Sequence, residues 1–261
     1  MRAIITGAAS GIGRATAERL HAECLRRTGA PARLILVDRS AAQLEEVAAA
    51  LHDAGAETIA MITDLVDVSA PARIAEMAQQ RFGGLDALVS NAGILHRKTL
   101  LELSVEEYDQ AFDVNTRPTF LLARATHSML KTSRGAIVAT TSLAAHEPTP
   151  SLGAYAPSKA ALLMLIRQIA CDWGPDGIRA NTVSPGSTRT AIGKPGGVAA
   201  ATGSKAGRNP LGIIAEPEDQ AAAIVFLLGP DARFISGADL VVDGGARTQL
   251  MSMSGLARRE D

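Results

Sequence analysis

Arg2-Ala3-Ile4-Ile5-Thr6-Gly7-Ala8-Ala9-Ser10-Gly11-Ile12-Gly13 is the stretch that decides the fold. A short apolar strand runs into a glycine-rich turn, and a helical pattern follows over 12–27. The three glycines have separate tasks. Gly7 permits the sharp turn off the strand, Gly11 lets backbone approach a pyrophosphate, and Gly13 lets the helix pack close to the sheet. Ser10 and Ile12 lie between them. A strand feeding such a turn and a helix start is a phosphate cradle, because unpaired N–H groups and the helix dipole favour an anion.

Working outward, the same alternation recurs. Apolar runs bounded by turn signals stand at 3–6, 34–37, 58–62, 87–89, 136–140, 178–183 and 240–242. Helical patterns lie between them near 12–27, 40–53, 70–81, 104–131, 155–173 and 217–228. Continuous apolar strands with helical crossovers predict a parallel sheet covered on both faces. The expected fold is α/β: one Rossmann-type, doubly wound domain of seven parallel strands over residues 1–248. Residues 187–213, rich in glycine and without periodicity, read as a substrate lid. Residues 249–261 read as a tail, and 21–32 as a surface elaboration of the first helix.

Composition narrows the function. With 3% aromatic residues and a net charge of −1, the chain has neither a base-stacking surface nor a basic patch, so no nucleic-acid or anionic-membrane partner is expected. No apolar run is long enough to span a bilayer. The two cysteines, Cys24 and Cys171, and the five histidines show no metal-ligand spacing, so no metal is expected. The first strand starts at Arg2, which leaves no room for a targeting segment, and a cytoplasmic location is expected.

Chemistry-bearing residues fall at strand ends. Asp38 closes the second strand, where a carboxylate can accept hydrogen bonds from ribose hydroxyls and repel a 2′-phosphate. NAD is therefore favoured over NADP, although the adjacent Arg39 could pair with a 2′-phosphate. Asp64-Leu65 and Asn91-Ala92-Gly93 follow the third and fourth strands, at the carboxyl ends where open α/β sheets bind ligands. Tyr155 and Lys159 are four apart and share one helix face. A lysine there should make the phenolate cheaper to form. Tyr starts near a pKa of ~10, and each pH unit of lowering takes ~1.4 kcal/mol. A dinucleotide cradle with an activated Tyr suggests hydride transfer.

Taken together, Thr6 to Gly13, Asn91-Ala92-Gly93, Ser142, Tyr155-Ala156-Pro157-Ser158-Lys159, Pro185-Gly186 and Gly237 to Gly245 resemble the short-chain dehydrogenase/reductases across essentially the whole chain. The resemblance implies a tetrad of Asn115, Ser142, Tyr155 and Lys159. Tyr155 would be the general acid/base, and Ser142 would orient the substrate oxygen. Lys159 would hold the nicotinamide ribose and lower the Tyr155 pKa, and Asn115 would anchor a relay water. It also implies adenine contacts from Asp64 and Leu65. Pro185, Gly186, Thr188 and Thr190 would sit by the carboxamide. This chain departs from the family at Ser90, often Asn, at Thr188, often aliphatic, and at Ile213, often basic.

The substrate pocket should be walled by the segments after Gly93 and after Ser142 and by the lid. Its candidates are Leu95, His96, Leu143, His146, Leu152 and Ile192. That lining suits a neutral or weakly polar secondary alcohol or ketone. Apolar residues on several faces of the 104–131 and 155–173 helices, such as Leu162, Leu163, Leu165, Ile166 and Ile169, suggest pairing into a dimer or tetramer. Two alternatives stand beside the NAD-dependent dehydrogenase: an NADPH-dependent ketoreductase of 3-oxoacyl carrier-protein or xenobiotic carbonyl type, and a non-catalytic nucleotide sensor.

Overall fold

In a computed structural model, which describes residues 1–190, 192 and 209–249, the apolar runs become strands. These are β1 (Arg2–Thr6), β2 (Arg33–Asp38), β3 (Glu57–Ile62), β4 (Ala87–Ser90), β5 (Ala136–Thr140), β6 (Arg179–Pro185) and β7 (Asp239–Val242). They form one seven-stranded sheet in the order β3-β2-β1-β4-β5-β6-β7, with every pairing parallel. The chain moves outward from β1 to β3 and then restarts at β4 on the other side of β1. That reversal opens a crevice at the carboxyl ends of β1 and β4, where such sheets hold ligands.

The helices are α1 (Gly11–Thr28), α2 (Ala41–Asp53), α3 (Ala70–Phe82), α4 (Val105–Asn115), α5 (Arg117–Ser133), α6 (Tyr155–Trp173) and α7 (Pro217–Leu228). Strand alternation sends side chains to two cores. Ala3, Ile5, Leu34, Leu36, Val138 and Val183 meet α1, α2 and α7 through residues such as Leu20, Val47 and Ile224. Ile4, Ile35, Val37, Leu88, Ile137 and Ala180 meet α3, α5 and α6 through residues such as Ile74, Leu122 and Ile166. Both faces of the sheet are covered, as its continuous apolar strands require.

Three expectations change. The 104–131 helix is two helices. Thr116, at φ −125° and ψ −56°, ends α4 and begins α5. Pro118 forces the break: it has no N–H to donate, and its ring would strike the carbonyl four residues back. α4 starts instead on a capping box, with Ser104 and Glu107 satisfying each other's backbone N–H. The 21–32 elaboration is not a surface feature throughout. His21 is 5% exposed, its Nδ1 accepts from Ala32 N–H at 3.4 Å, and its Nε2 donates to Ala54 O at 2.9 Å. The apolar residues offered for subunit pairing are core: Leu162, Leu163, Ile166 and Ile169 are buried, and Leu165 is packed against the core. The exposed large apolar residues of these helices are Val105, Tyr108, Phe120 and Met164. Most of the expected lid lies outside the described residues, as does the expected tail except Gln249.

Candidate active site

The glycine turn is sterically committed. Gly7 and Gly11 have φ of +66° and +52°, a region that side chains disfavour. A Cβ on Gly13 would lie 2.1 Å from Gly7 O and 2.7 Å from Asn91 Nδ2. The α1 N-terminus can therefore sit against β1 only with glycine at 13. Thr190 closes over the turn, with its Cγ2 3.3 Å from the place a Gly11 Cβ would take. Ser10 is the exposed N-cap of α1 and makes no side-chain cap bond.

Beside the turn, Gly7, Asp38, Arg39, Asp64, Leu65, Ala92 and Gly93 line one cleft. Val37, Thr63, Ile94 and Val114 line it too, and none of these four was singled out by the sequence. They are ordinary apolar or hydroxyl residues, visible only once the strand ends converge. Asp38 is held in place: its Oδ2 accepts from Ala9 N–H at 3.1 Å and its Oδ1 from Ser40 N–H at 3.0 Å. Asp64 closes its own turn by accepting from Val66 N–H at 3.0 Å. A narrow glycine cradle with a fixed carboxylate at the end of β2 fits a dinucleotide.

Asn91 ties this half to the next. Its Nδ2 donates to Thr6 O at 3.2 Å and Gly7 O at 3.3 Å, and its Oδ1 accepts from Thr140 Oγ1 at 3.0 Å. Thr140 O in turn accepts from Lys159 Nζ at 2.8 Å. Lys159 is 2% exposed, and burial lowers its pKa from 10.5 to about 8. α6 presents it because Tyr155, Ser158 and Lys159 fall on one face of the helix's first turns. Pro157 is tolerated there because the first turn has no intrahelical acceptor for its missing N–H.

Ser142 leaves β5 in extended conformation and caps a short 3-10 turn, Leu143–Ala145. Its Oγ accepts from Ala144 N–H at 3.2 Å, so the hydroxyl proton is free to be donated. Ser142 lies beside Tyr155, and its hydroxyl favours the phenolate. Burial outweighs that effect, and the Tyr155 pKa is raised. Lys159 Nζ is 5.9 Å from the Tyr155 ring centroid. The expectation that Lys159 makes Tyr155 acidic is thus corrected: desolvation dominates both groups.

Asn115, at the end of α4, is 1% exposed and fully engaged. Its Oδ1 accepts from Ile94 N–H at 2.8 Å, and its Nδ2 donates to Ile94 O at 3.1 Å and Ser158 Oγ at 2.9 Å. The helix break at Thr116 is what turns this side chain inward. A Cβ on Gly93 would lie 3.2 Å from Asn115 Oδ1 and 3.3 Å from Lys159 Nζ, so the three are neighbours.

At the end of β6, a Cβ on Gly186 would meet Asp243 Cα at 2.7 Å. Thr188 pairs as a parallel bridge with Ala215. Its departure from the family has a partner: Gln220 of α7, fully buried, donates from Nε2 to Thr188 Oγ1 at 3.2 Å and Val242 O at 3.0 Å. Ser90 is likewise satisfied, by Thr119 Oγ1 at 2.6 Å. Ile213 is exposed.

The substrate candidates divide. Leu95, His96, Leu143 and Leu152 are half-buried, with His96 Nε2 bonded to Gln110 Oε1 at 2.9 Å. Ile192 is exposed. His146 is neither solvated nor turned to a ligand: its Nε2 lies 2.7 Å from Asp239 Oδ2. Among the described residues, no group of His, Cys, Asp and Glu could hold a metal ion, and no helix is long and apolar enough to cross a membrane.

A family model of the short-chain alcohol dehydrogenase type, described as enoyl-(acyl carrier protein) reductase, matches residues 7–247. The chain is 38% identical over 247 residues to cis-4-hydroxycyclohexanecarboxylate dehydrogenase of Sinomonas cyclohexanicum, covering 93% of this chain and 95% of that one. A short-chain dehydrogenase from Burkholderia cenocepacia J2315 in complex with NADP superposes with a TM-score of 0.85 at 34% identity, over 94% of this chain and 97% of that one. The 3-ketoacyl-(acyl-carrier-protein) reductase from Brucella melitensis, complexed with NADH, gives 0.83 at 29% identity, over 94% and 97%. With its 3-2-1-4-5-6-7 parallel sheet, its glycine turn and these relatives along nearly its whole length, the chain belongs to the short-chain dehydrogenase/reductases, a family of nicotinamide-linked oxidoreductases.

Proposed function

We propose that the protein moves a hydride between a secondary alcohol or its ketone and NAD, with Tyr155 as the general acid/base. One observation carries the reading: Tyr155 stands with Lys159 Nζ 5.9 Å from its ring and Ser142 beside its phenol, at the same sheet edge as the glycine turn. Gly7 to Gly13, Asp38, Asp64-Leu65, Asn91 to Gly93 and the Pro185 to Thr190 segment would hold the dinucleotide. Bound there, the nicotinamide supplies the hydride acceptor or donor.

The chain's own residues supply the rest. Ser142 can donate to the substrate oxygen, and Tyr155 takes or gives the proton. General acid/base work of this kind is worth roughly 10²–10⁴-fold. Lys159 fixes the floor of the site through Thr140 O. Asn115, its amide fully used, locks the Ile94 backbone to α6; a relay water would be held by the backbone beside it.

NAD is preferred because Asp38 stands where a 2′-phosphate would bring charge against charge. An NADP-linked ketoreductase is the second reading, favoured by the exposed Arg39 next to Asp38. Residues 1–248 act as one catalytic unit, in the cytoplasm, and exposed Tyr108, Phe120 and Met164 suit pairing with a second copy. The test is a panel of secondary alcohols offered with NAD and with NADP, read by absorbance of the reduced nicotinamide. The relative that acts on cis-4-hydroxycyclohexanecarboxylate makes hydroxylated rings the first compounds to try. Failure to reduce either nucleotide with any alcohol, or to oxidise either with the ketones, overturns the assignment.

A further inference from the structure

Behind the Ser142 turn lies a closed set of polar side chains that the proposed chemistry does not use. Asp239, the first residue of β7, has a side chain 5% exposed and accepts from three donors: Thr182 Oγ1 at 2.5 Å, Ser184 Oγ at 2.8 Å and His146 Nε2 at 2.7 Å. His146 is itself 11% exposed at its side chain. Because both the carboxylate and the Ser184 hydroxyl face Nε2, that nitrogen must carry the proton. The set is not a hydrolytic triad, since the same imidazole nitrogen meets both Asp239 and Ser184.

What the set does is fixed by where its ends are attached. Thr141, just before Ser142, is sewn to β6: its N–H donates to Val183 O at 2.8 Å, and its Oγ1 lies 2.7 Å from Ser184 Oγ. His146 is the C-cap of the 3-10 turn, and its N–H donates to Leu143 O at 3.0 Å. The turn that begins at Ser142 is therefore anchored on both sides, to β6 by Thr141 and to β7 by His146. A buried hydrogen-bonded network of this kind is rigid, and rigidity at a donor's base sets the direction in which the donor points.

Resting on the proposed function, we propose that His146, held by Asp239, is a positioning residue that fixes the turn carrying Ser142 and so the aim of the Ser142 hydroxyl at the Tyr155 oxygen. Releasing His146 lets the turn rock about Thr141. The Ser142 hydroxyl then swings away from the Tyr155 oxygen while the fold and the nucleotide cleft stay in place.

The chain has two tyrosines, so a Tyr108→Phe background labelled with 3-fluorotyrosine gives one fluorine resonance, from Tyr155. Ser142→Ala should move that resonance. His146→Leu and Asp239→Asn should move it in the same direction by at least about half as much. His146→Gln, which can still donate to Asp239, should leave it near the parent position. On an alcohol the parent oxidises, His146→Leu should lower kcat about tenfold with KM for NAD unchanged, since misaiming a donor costs less than the roughly 10²–10³-fold of deleting one. His146→Gln should recover most of it. A His146→Leu protein that melts earlier but keeps the parent Tyr155 resonance has lost only a structural contact, and the proposal is wrong. It is equally wrong if Ser142→Ala leaves the resonance unmoved. Should His146→Leu not fold, Asp239→Asn decides by the same shift. A parent with no alcohol turnover would sink the activity assignment, while the fluorine shift would still decide the role of His146.

Discussion

Replacing Lys159 with Met should abolish turnover and, in the nucleotide-free protein at neutral pH, raise stability. The magnitude follows from burial. Lys159 is 2% exposed and its pKa falls from 10.5 to about 8. At ~1.4 kcal/mol per pH unit, keeping it charged in the fold costs about 3 kcal/mol. The unfolded chain keeps its proton until about pH 10.5, and the folded chain releases it near 8. Above that window the lysine is neutral in both states and carries no penalty. As pH falls through the window, only the unfolded chain gains the proton, so stability declines; below 8 the penalty is complete. Met has similar length and no charge, but it removes the donor to Thr140 O, a loss of about 1 kcal/mol. The net expectation is a gain of about 2 kcal/mol at pH 7, shrinking to nothing or a small loss by about pH 10. Urea unfolding of both proteins at a series of pH values measures it. A Lys159→Met protein less stable than the parent at pH 7, or a difference that does not change with pH, refutes the reasoning.

Tyr155→Phe should lower turnover by roughly 10²–10⁴-fold while NAD affinity stays within about threefold; near-normal turnover would remove Tyr155 from proton transfer. Asp38→Asn keeps an acceptor for Ala9 N–H but drops the charge, and should shift the ratio of kcat/KM for NADP over NAD upward by about tenfold, ~1.4 kcal/mol. An unmoved ratio would leave nucleotide choice to other residues. Gly13→Ala drives a methyl to 2.1 Å from Gly7 O. It should cost about 1–3 kcal/mol in urea unfolding and weaken nucleotide binding more than about tenfold; unaltered binding would contradict the cradle. Gln220→Leu should cost less than about 1 kcal/mol, because its Oε1 is already buried without a partner and Val242 O still accepts from Gly186 N–H at 2.9 Å. A loss beyond about 2 kcal/mol would make the Gln220–Thr188 bond a main support of that segment.

The sheet was legible because each strand is an apolar run, and the five central ones, β1, β2, β4, β5 and β6, are buried along nearly their whole length. The glycine turn was legible because its steric demands exclude other residues. What stayed hidden depended on contacts between distant positions. Nothing near Pro118 in sequence shows that the helix break there turns Asn115 into the site. Gln220 and Thr188 are 32 positions apart and declare each other only when α7 lies on the sheet. His146 looks like a solvated loop residue until β7 brings Asp239 beneath it. The electrostatics of Tyr155 hide for a related reason: helix spacing shows that Lys159 is near, but not that both groups lose their water.

Hydride and proton transfer must occur at neighbouring atoms, so the parts that hold the nucleotide and the part that moves the proton need a fixed spacing. Here that spacing is set by the sheet. β1 bears the glycine turn, β4 bears Asn91 and β5 leads to Ser142, and the three are adjacent, with neighbours about 4.8 Å apart. Side chains brace them across the top: Gly7 O to Asn91 Nδ2 at 3.3 Å, Asn91 Oδ1 to Thr140 Oγ1 at 3.0 Å, Thr140 O to Lys159 Nζ at 2.8 Å. A lysine anchored to backbone in this way cannot relax toward water, which is why its burial is so costly. The same anchoring makes it a rigid end-stop for α6, the helix that carries Tyr155. The instability at Lys159 and the precision of the site therefore have one cause, and a variant that relieves the first should lose the second.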